Sequence, residues 1–237
     1  MVDASIIIPA LNEEKCIAKT LESVSKQKTS LNYEVVVADN GSEDMTVEIA
    51  EKYADRVVTV KRRGIWIGRN TGAEKSRGNA LVFVDADTTI PPNYLNAVDA
   101  VLFDDSISGL SCAFKFEKHG RILDAIEELS NSYLLFKGVI GKGEILGFNN
   151  AVMRKTFFDV GGFPNQPMED GAFARKLWEK GRVVYLPEPR VVTSARRISK
   201  KGTIHSAVYY ANLMLITDFP RIPVDKVAIF KKYLPVR

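Results

Sequence analysis

Cysteine is scarce in this chain: Cys16 and Cys112 are the only two in 237 residues. They make no disulfide framework and sit in no metal-type spacing, so the expected setting is reducing and the fold rests on an apolar core. Histidine is as rare, with His119 and His205 the only two. No basic n-region or small-residue cleavage site precedes the first apolar run, and the expected location is cytoplasmic. No apolar stretch reaches the roughly 20 residues that cross a bilayer. The late run 207–216 has ten residues, too few to span. A Gly-rich phosphate loop with a basic residue is also missing after the first strand, where Pro9-Ala10-Leu11-Asn12-Glu13 stands instead. That argues against a sugar-phosphate nucleotidyltransferase.

Hydrophobic residues make up 46% and charged residues 26%, which excludes disorder and fits one large α/β domain with an appended tail. The net charge of +4 is unevenly placed: from position 190 onward ten Lys/Arg face two Asp. The tail therefore carries about +8 and the remainder about −4. A basic tail holding the apolar run 207–216 reads as a helix packing on the domain, with a contact to the inner face of the cell membrane as the alternative.

Strand and helix patterns alternate through the first half. Strands are expected over 5–9, 34–39, 56–60 and 81–84, with helices between them. Asn12 is placed to cap the first helix, whose apolar positions are Ile17, Leu21 and Val24. The second helix runs through Val47, Ile49, Ala50 and Tyr53, and the third covers about 68–76. Strands separated by such helices imply right-handed crossovers and a mainly parallel sheet. The second half is less regular: a helix from about Pro92, an extended segment 107–116 and an amphipathic helix 122–136. A flexible Gly-rich stretch then precedes Phe148-Asn149-Asn150-Ala151, a helix opens at Asp170 with Gly181 at its C′ position, and a strand covers 183–186.

The run 81–84 leads straight into Asp85-Ala86-Asp87. Open α/β sheets bind ligands outside the carboxyl ends of their strands. Two hard oxygen ligands so close together suit Mg²⁺ or Mn²⁺, which commonly also hold substrate phosphates. The alternative is a plain strand-end turn, since Asp favours turns.

Several local patterns occur in one order: Ile8-Pro9-Ala10-Leu11-Asn12-Glu13-Glu14, Val37-Ala38-Asp39-Asn40-Gly41-Ser42-Glu43-Asp44 and Gly68-Arg69-Asn70-Thr71-Gly72. Phe83-Val84-Asp85-Ala86-Asp87, Gly161-Gly162-Phe163 and Glu169-Asp170 follow. In this order they resemble a family 2 glycosyltransferase, inverting and nucleotide-sugar dependent, across roughly residues 4–195. The resemblance implies a GT-A fold: a mainly parallel Rossmann-like sheet flanked by helices, with a smaller acceptor-side region. The implied division is a catalytic domain over 1–195 and a basic helical extension over 196–237.

By the same resemblance, Pro9, Ala10, Asn12 and Glu13 wall the nucleoside pocket. Asp39 contacts the base, and Arg69 lies along the donor. Asp85, Ala86 and Asp87 meet ribose and a divalent metal, with Asp85 and Asp87 as its ligands. Glu169 and Asp170 supply the catalytic base, Asp170 being the better match. Asn149, Asn150, Arg196 and Arg197 are candidates for the acceptor side, and His205 is a faint candidate for the metal. The plain readings are a turn for Asp39, a helix cap for Asp170 and a surface charge for Arg69. The Gln-x-x-Arg-Trp segment of processive relatives does not occur, so a single sugar transfer is expected, to a glycan, lipid-linked or small-molecule acceptor. No nucleic acid partner is implied. A non-catalytic nucleotide-sugar binding protein is the rival reading.

Overall fold

In the computed structural model of this chain, residues 2–60, 62–118, 120–166 and 168–196 are described. Strand β1 (Ala4–Ala10) is buried along its whole length, as a central strand covered on both faces must be. It is flanked by β2 (Tyr33–Asp39) and β4 (Ala80–Val84), both parallel to it, and β3 (Arg56–Thr59) lies parallel outside β2. The crossovers are helices α1 (Ile17–Ser25), α2 (Thr46–Ala50) and α3 (Ile65–Lys75). β5 (Thr88–Thr89), α4 (Tyr94–Leu102), β6 (Ile107–Phe116) and α5 (Arg121–Val139) follow. The described part closes with β7 (Asn149–Met153), α6 (Arg154–Asp159), α7 (Glu169–Trp178) and β8 (Arg182–Thr193).

The eight described strands form one sheet in the order β3-β2-β1-β4-β7-β6-β8-β5. The first four make the expected parallel unit. Beyond β4 the sheet is mixed: β7 runs antiparallel to both β4 and β6, β6 pairs with β8 in parallel, and β5 is antiparallel to β8. The Asn-Asn segment, expected to follow a flexible stretch, is thus a strand wedged into the middle of the sheet. One apolar layer centres on Ile6, Ile8, Val37 and Val82, and the other on Ile7, Phe83, Phe157, Phe163 and Phe173. This alternation along β1 reflects the two-residue period of a strand covered on both sides.

Two local expectations are corrected. Asn12 does not cap α1: the cap position is Cys16, with no side-chain cap. Asn12 instead adopts a positive φ of 55°, which Asn tolerates better than most residues, and its Oδ1 accepts from the Glu43 N–H at 2.8 Å. Gly181 is not a left-handed C′ residue: α7 stops at Trp178, and its C-cap Glu179 keeps right-handed angles. The expected tail helix, Arg197 and His205 lie outside the described residues. Among the described residues, no helix is long and apolar enough to cross a membrane.

Candidate active site

The parallel unit brings its carboxyl ends to one edge. Ala10 is in register with Asp39, and Ile7 with Phe83, so Pro9 and Asp85 end at the same level. Asp39 is buried; its carboxylate accepts from the Gly41 N–H at 3.0 Å and the Ser42 N–H at 3.1 Å. It therefore closes the turn after β2. Ser42 Oγ in turn accepts from the Asn12 N–H at 2.9 Å. Together with the Asn12–Glu43 bond, this ties the loops after β1 and β2 into one wall. Ala10 contributes its carbonyl to the Asn40 N–H at 2.8 Å. Ala86 is buried, and its carbonyl accepts from the Thr20 hydroxyl at 2.8 Å, which pins the segment between the two aspartates to α1.

Arg69 lies at the centre of the edge. Its side chain is only 3% exposed, with Nη2 donating to Asp85 Oδ1 at 3.0 Å and Nη1 to Glu169 Oε1 at 2.7 Å. The guanidinium stacks over the Phe163 ring at 5.2 Å. Asp85 ends a strand and Glu169 begins a helix, so this one cation joins the sheet edge to α7. The Arg69 Nε, Asn40 Oδ1 and Asn150 Oδ1, like Arg190 Nε elsewhere in the fold, are buried without a hydrogen-bond partner; a ligand or ordered water is one way such a group is satisfied.

The neighbouring acids on α7 are held differently. Burial raises the Glu169 carboxyl above the ordinary range, the nearby Asp170 charge adds to this, and Arg69 opposes it. Asp170 Oδ1 accepts from the Gly171 N–H at 2.9 Å and Oδ2 from the Gly147 N–H at 3.4 Å. Glu169 is locked into the arginine, whereas Asp170 is held only by backbone N–H groups.

Asp87 is the second carboxylate of the pair. It meets Arg196 at 3.0 Å, and Arg196 also grips the Glu13 carboxylate with both terminal nitrogens. Arg196, expected on the acceptor side, is thus held between the Asp87 and Glu13 carboxylates. Asn149 departs further from expectation. Its side chain is fully buried, takes the Tyr94 hydroxyl at 2.9 Å and the Cys112 N–H at 3.2 Å, and donates to the Cys112 carbonyl. Those bonds brace β7 against β6 and α4. Asn150 donates to the Leu146 carbonyl at 2.8 Å.

Three contributors escaped the sequence reading. Gly147 abuts Arg69 so closely that a Cβ there would stand 2.9 Å from the guanidinium carbon. Asn70 holds Phe163 under Arg69, donating to its carbonyl at 2.9 Å and accepting from its N–H at 3.0 Å. Phe163 gets there because Gly161 and Gly162 have φ of 76° and 61°, a bend that favours glycine. The Gly-Arg-Asn and Gly-Gly-Phe patterns were visible as signals; their partnership was not.

The donor set can be tested for a divalent cation by its chemistry. Asp85 and Asp87 are hard oxygen donors with side chains 26% and 16% exposed. Among the described residues no group of three or more His, Cys, Asp or Glu could hold a metal alone. Two carboxylates fit an ion that completes its shell with diphosphate oxygens and water, as Mg²⁺ and Mn²⁺ do.

A curled α/β sheet whose parallel ends gather a carboxylate pair opposite an acidic helix start defines the GT-A class. The comparisons agree. The model of glycosyl transferase family 2 matches residues 5–159, and the chain belongs to that family. Glycosyltransferase AglE of Haloferax volcanii is 30% identical over 177 residues, covering 70% of this chain and 58% of that one. The putative glycosyltransferase EpsH of Bacillus subtilis is 27% identical over 66% of this chain and 48% of its own length. The chain therefore spans about half the length of these relatives. Among solved structures, mannosyltransferase PcManGT from Pyrobaculum calidifontis, in complex with GDP-Man and Mn²⁺, superposes with a TM-score of 0.68 at 22% identity, covering 81% of this chain and 56% of that one. S. aureus TarS with UDP-GlcNAc gives 0.67 at 23% identity, covering 81% and 58%. At those identities the structures establish the fold.

Proposed function

We propose that this chain transfers a single sugar from a nucleoside-diphosphate donor to an acceptor hydroxyl, with inversion at the anomeric carbon. The observation that carries this reading is the Arg69 bridge. It ties Asp85 at the end of β4 to Glu169 at the start of α7, which supports placing the carboxylate pair and the neighbouring Asp170 about one reaction centre. The donors in the titles of two fold relatives, GDP-Man and UDP-GlcNAc, are nucleoside-diphosphate sugars, and a UDP-linked donor is the first to try here.

Asp170 is the base in this reading. Glu169 has its charge engaged by Arg69, and burial favours its protonated form. Asp170 takes the acceptor proton as the acceptor oxygen attacks the anomeric carbon. The bond from that carbon to the diphosphate oxygen breaks, and its electron pair leaves with the diphosphate. One base with direct displacement inverts the centre, whereas glycoside hydrolysis sets two carboxylates to work. Asp85 and Asp87 would hold Mn²⁺ or Mg²⁺, which when bound supplies positive charge against the leaving group. Asp39, Asn12 and Glu13 shape the loops that receive the nucleoside. The absence of a Gln-x-x-Arg-Trp segment supports one transfer per binding event.

The test is Asp170→Asn. Donor affinity measured by calorimetry should be retained while transfer falls by roughly 10²- to 10⁴-fold, the scale of a lost general base. Transfer near the parent rate removes Asp170 as the base. Donor binding by the parent without turnover on any acceptor favours a binding protein instead.

A further inference from the structure

Helix α5 packs on the core through Leu123, Ile126, Tyr133 and Leu134, yet it also buries polar groups and leaves large apolar side chains in water. Its buried side carries Glu127, Ser130, Asn131 and Lys137, while Ile122, Leu129, Phe136 and Val139 are 60%, 72%, 64% and 70% exposed. The inner polarity has a local cause. Beyond Leu110, β6 has no β7 partner in register. Asn131 takes the Phe114 N–H at 3.1 Å, and Glu127 takes the Phe116 N–H at 2.8 Å. The outer face has no such cause. Ile122, Leu129 and Phe136 are seven residues apart, and the exposed Ala125, Ser132 and Val139 fall between and beyond them. This is the 3.5-residue repeat that a second helix covers. A contiguous apolar strip of this kind marks an interaction surface.

We propose that segment 207–216 of this same chain docks along that strip. The path supports it: the Glu117 N–H donates to the Thr193 carbonyl at 2.8 Å, so the chain leaves β8 beside the first turn of α5. Ten residues, 197–206, then separate the described part from the segment. At about 3.3 Å each they reach up to roughly 33 Å. The 19 residues of α5 extend only about 28 Å at 1.5 Å per residue. The segment reads Ala-Val-Tyr-Tyr-Ala-Asn-Leu-Met-Leu-Ile, apolar enough to gain from leaving water wherever it lands. The border of the strip weighs against an anionic bilayer. Asp124, Glu128 and Glu188 stand there with Arg121 and Arg190, and Arg190 is paired to both Glu128 at 2.9 Å and Glu188 at 3.4 Å. Among the described residues the border is of mixed sign, not the cationic rim that draws a face onto anionic lipid.

Maleimide labelling of the full chain, read at single positions by peptide mass spectrometry, tests this. Leu129→Cys should label roughly tenfold more slowly than the same protein also carrying Leu213→Asp and Ile216→Asp, because the thiol is reached only in the undocked fraction. As a reciprocal arm, Leu213→Cys should be protected and then released by Phe136→Asp, a surface substitution that leaves the core intact. Equal rates in either pair overturn the proposal. Protection that grows with protein concentration overturns it in favour of a second copy. Protection seen only with anionic vesicles overturns it in favour of a membrane.

Discussion

Removing one partner from a buried ion cluster is costly because the remaining charges stay out of water. Arg69 faces Asp85 and Glu169 with 3% of its side chain exposed. Arg69→Ala should therefore lower unfolding stability by about 3–5 kcal/mol, read from urea titration; a loss under about 1 kcal/mol, as for a surface pair, would contradict the burial argument. Glu169 predicts a pH effect. Its folded carboxyl is raised by burial and by Asp170, so the folded state holds the proton more tightly than the unfolded chain. That contribution is complete below the ordinary glutamate value of about 4.3 and is lost as pH rises through the raised folded value. Glu169→Gln removes this titration, so in chelator the stability of the variant relative to the parent should climb with pH across that window. A difference independent of pH would refute it. Neither effect was readable from residue order, since Arg69 meets its partners 16 and 100 positions away.

At the scale of elements, the site depends on how closely neighbouring segments approach. The Gly147 N–H donates to Asp170 while the residue abuts Arg69, so the segment before β7 seats the Asp170 carboxylate and the Arg69 cation together. Gly147→Ala should cost about 1–3 kcal/mol through overpacking, visible as a lower thermal midpoint; an unchanged midpoint would mean that Arg69 yields freely. Elements with a simple local signature were legible: β1, β2, β4 and the end of β4 in a carboxylate pair all announce themselves as an apolar run meeting a polar stop. β7 did not. Asn149-Asn150 carries no strand signature, and only the pairing of β7 with β4 and β6, with the Asn149 amide bonded to Tyr94 and Cys112, makes it a central strand. Asn12 likewise looked like a helix cap until its φ and its bond to Glu43 tied it to the next loop.

For the whole molecule, a donor that binds only the folded chain must stabilise it, by about 2.7 kcal/mol at a hundred times its dissociation constant, and so raise its melting point. Nucleotide sugars with Mn²⁺ should shift the parent, and Asp87→Ala should lose the Mn²⁺-dependent part. An equal shift in both would remove Asp87 as a metal ligand. Family membership and the parallel half of the sheet followed from the chain alone, because motif order and the two-residue alternation of buried strands are properties of consecutive residues. The contacts that pair Glu169 with Arg69 but leave Asp170 on backbone N–H groups, bring Arg196 onto Asp87 and Glu13, and turn Asn149 inward arise between distant segments. They depend on burial and on which charge lies nearest in space, and those exist only once the sheet has curled and α7 has closed over its edge.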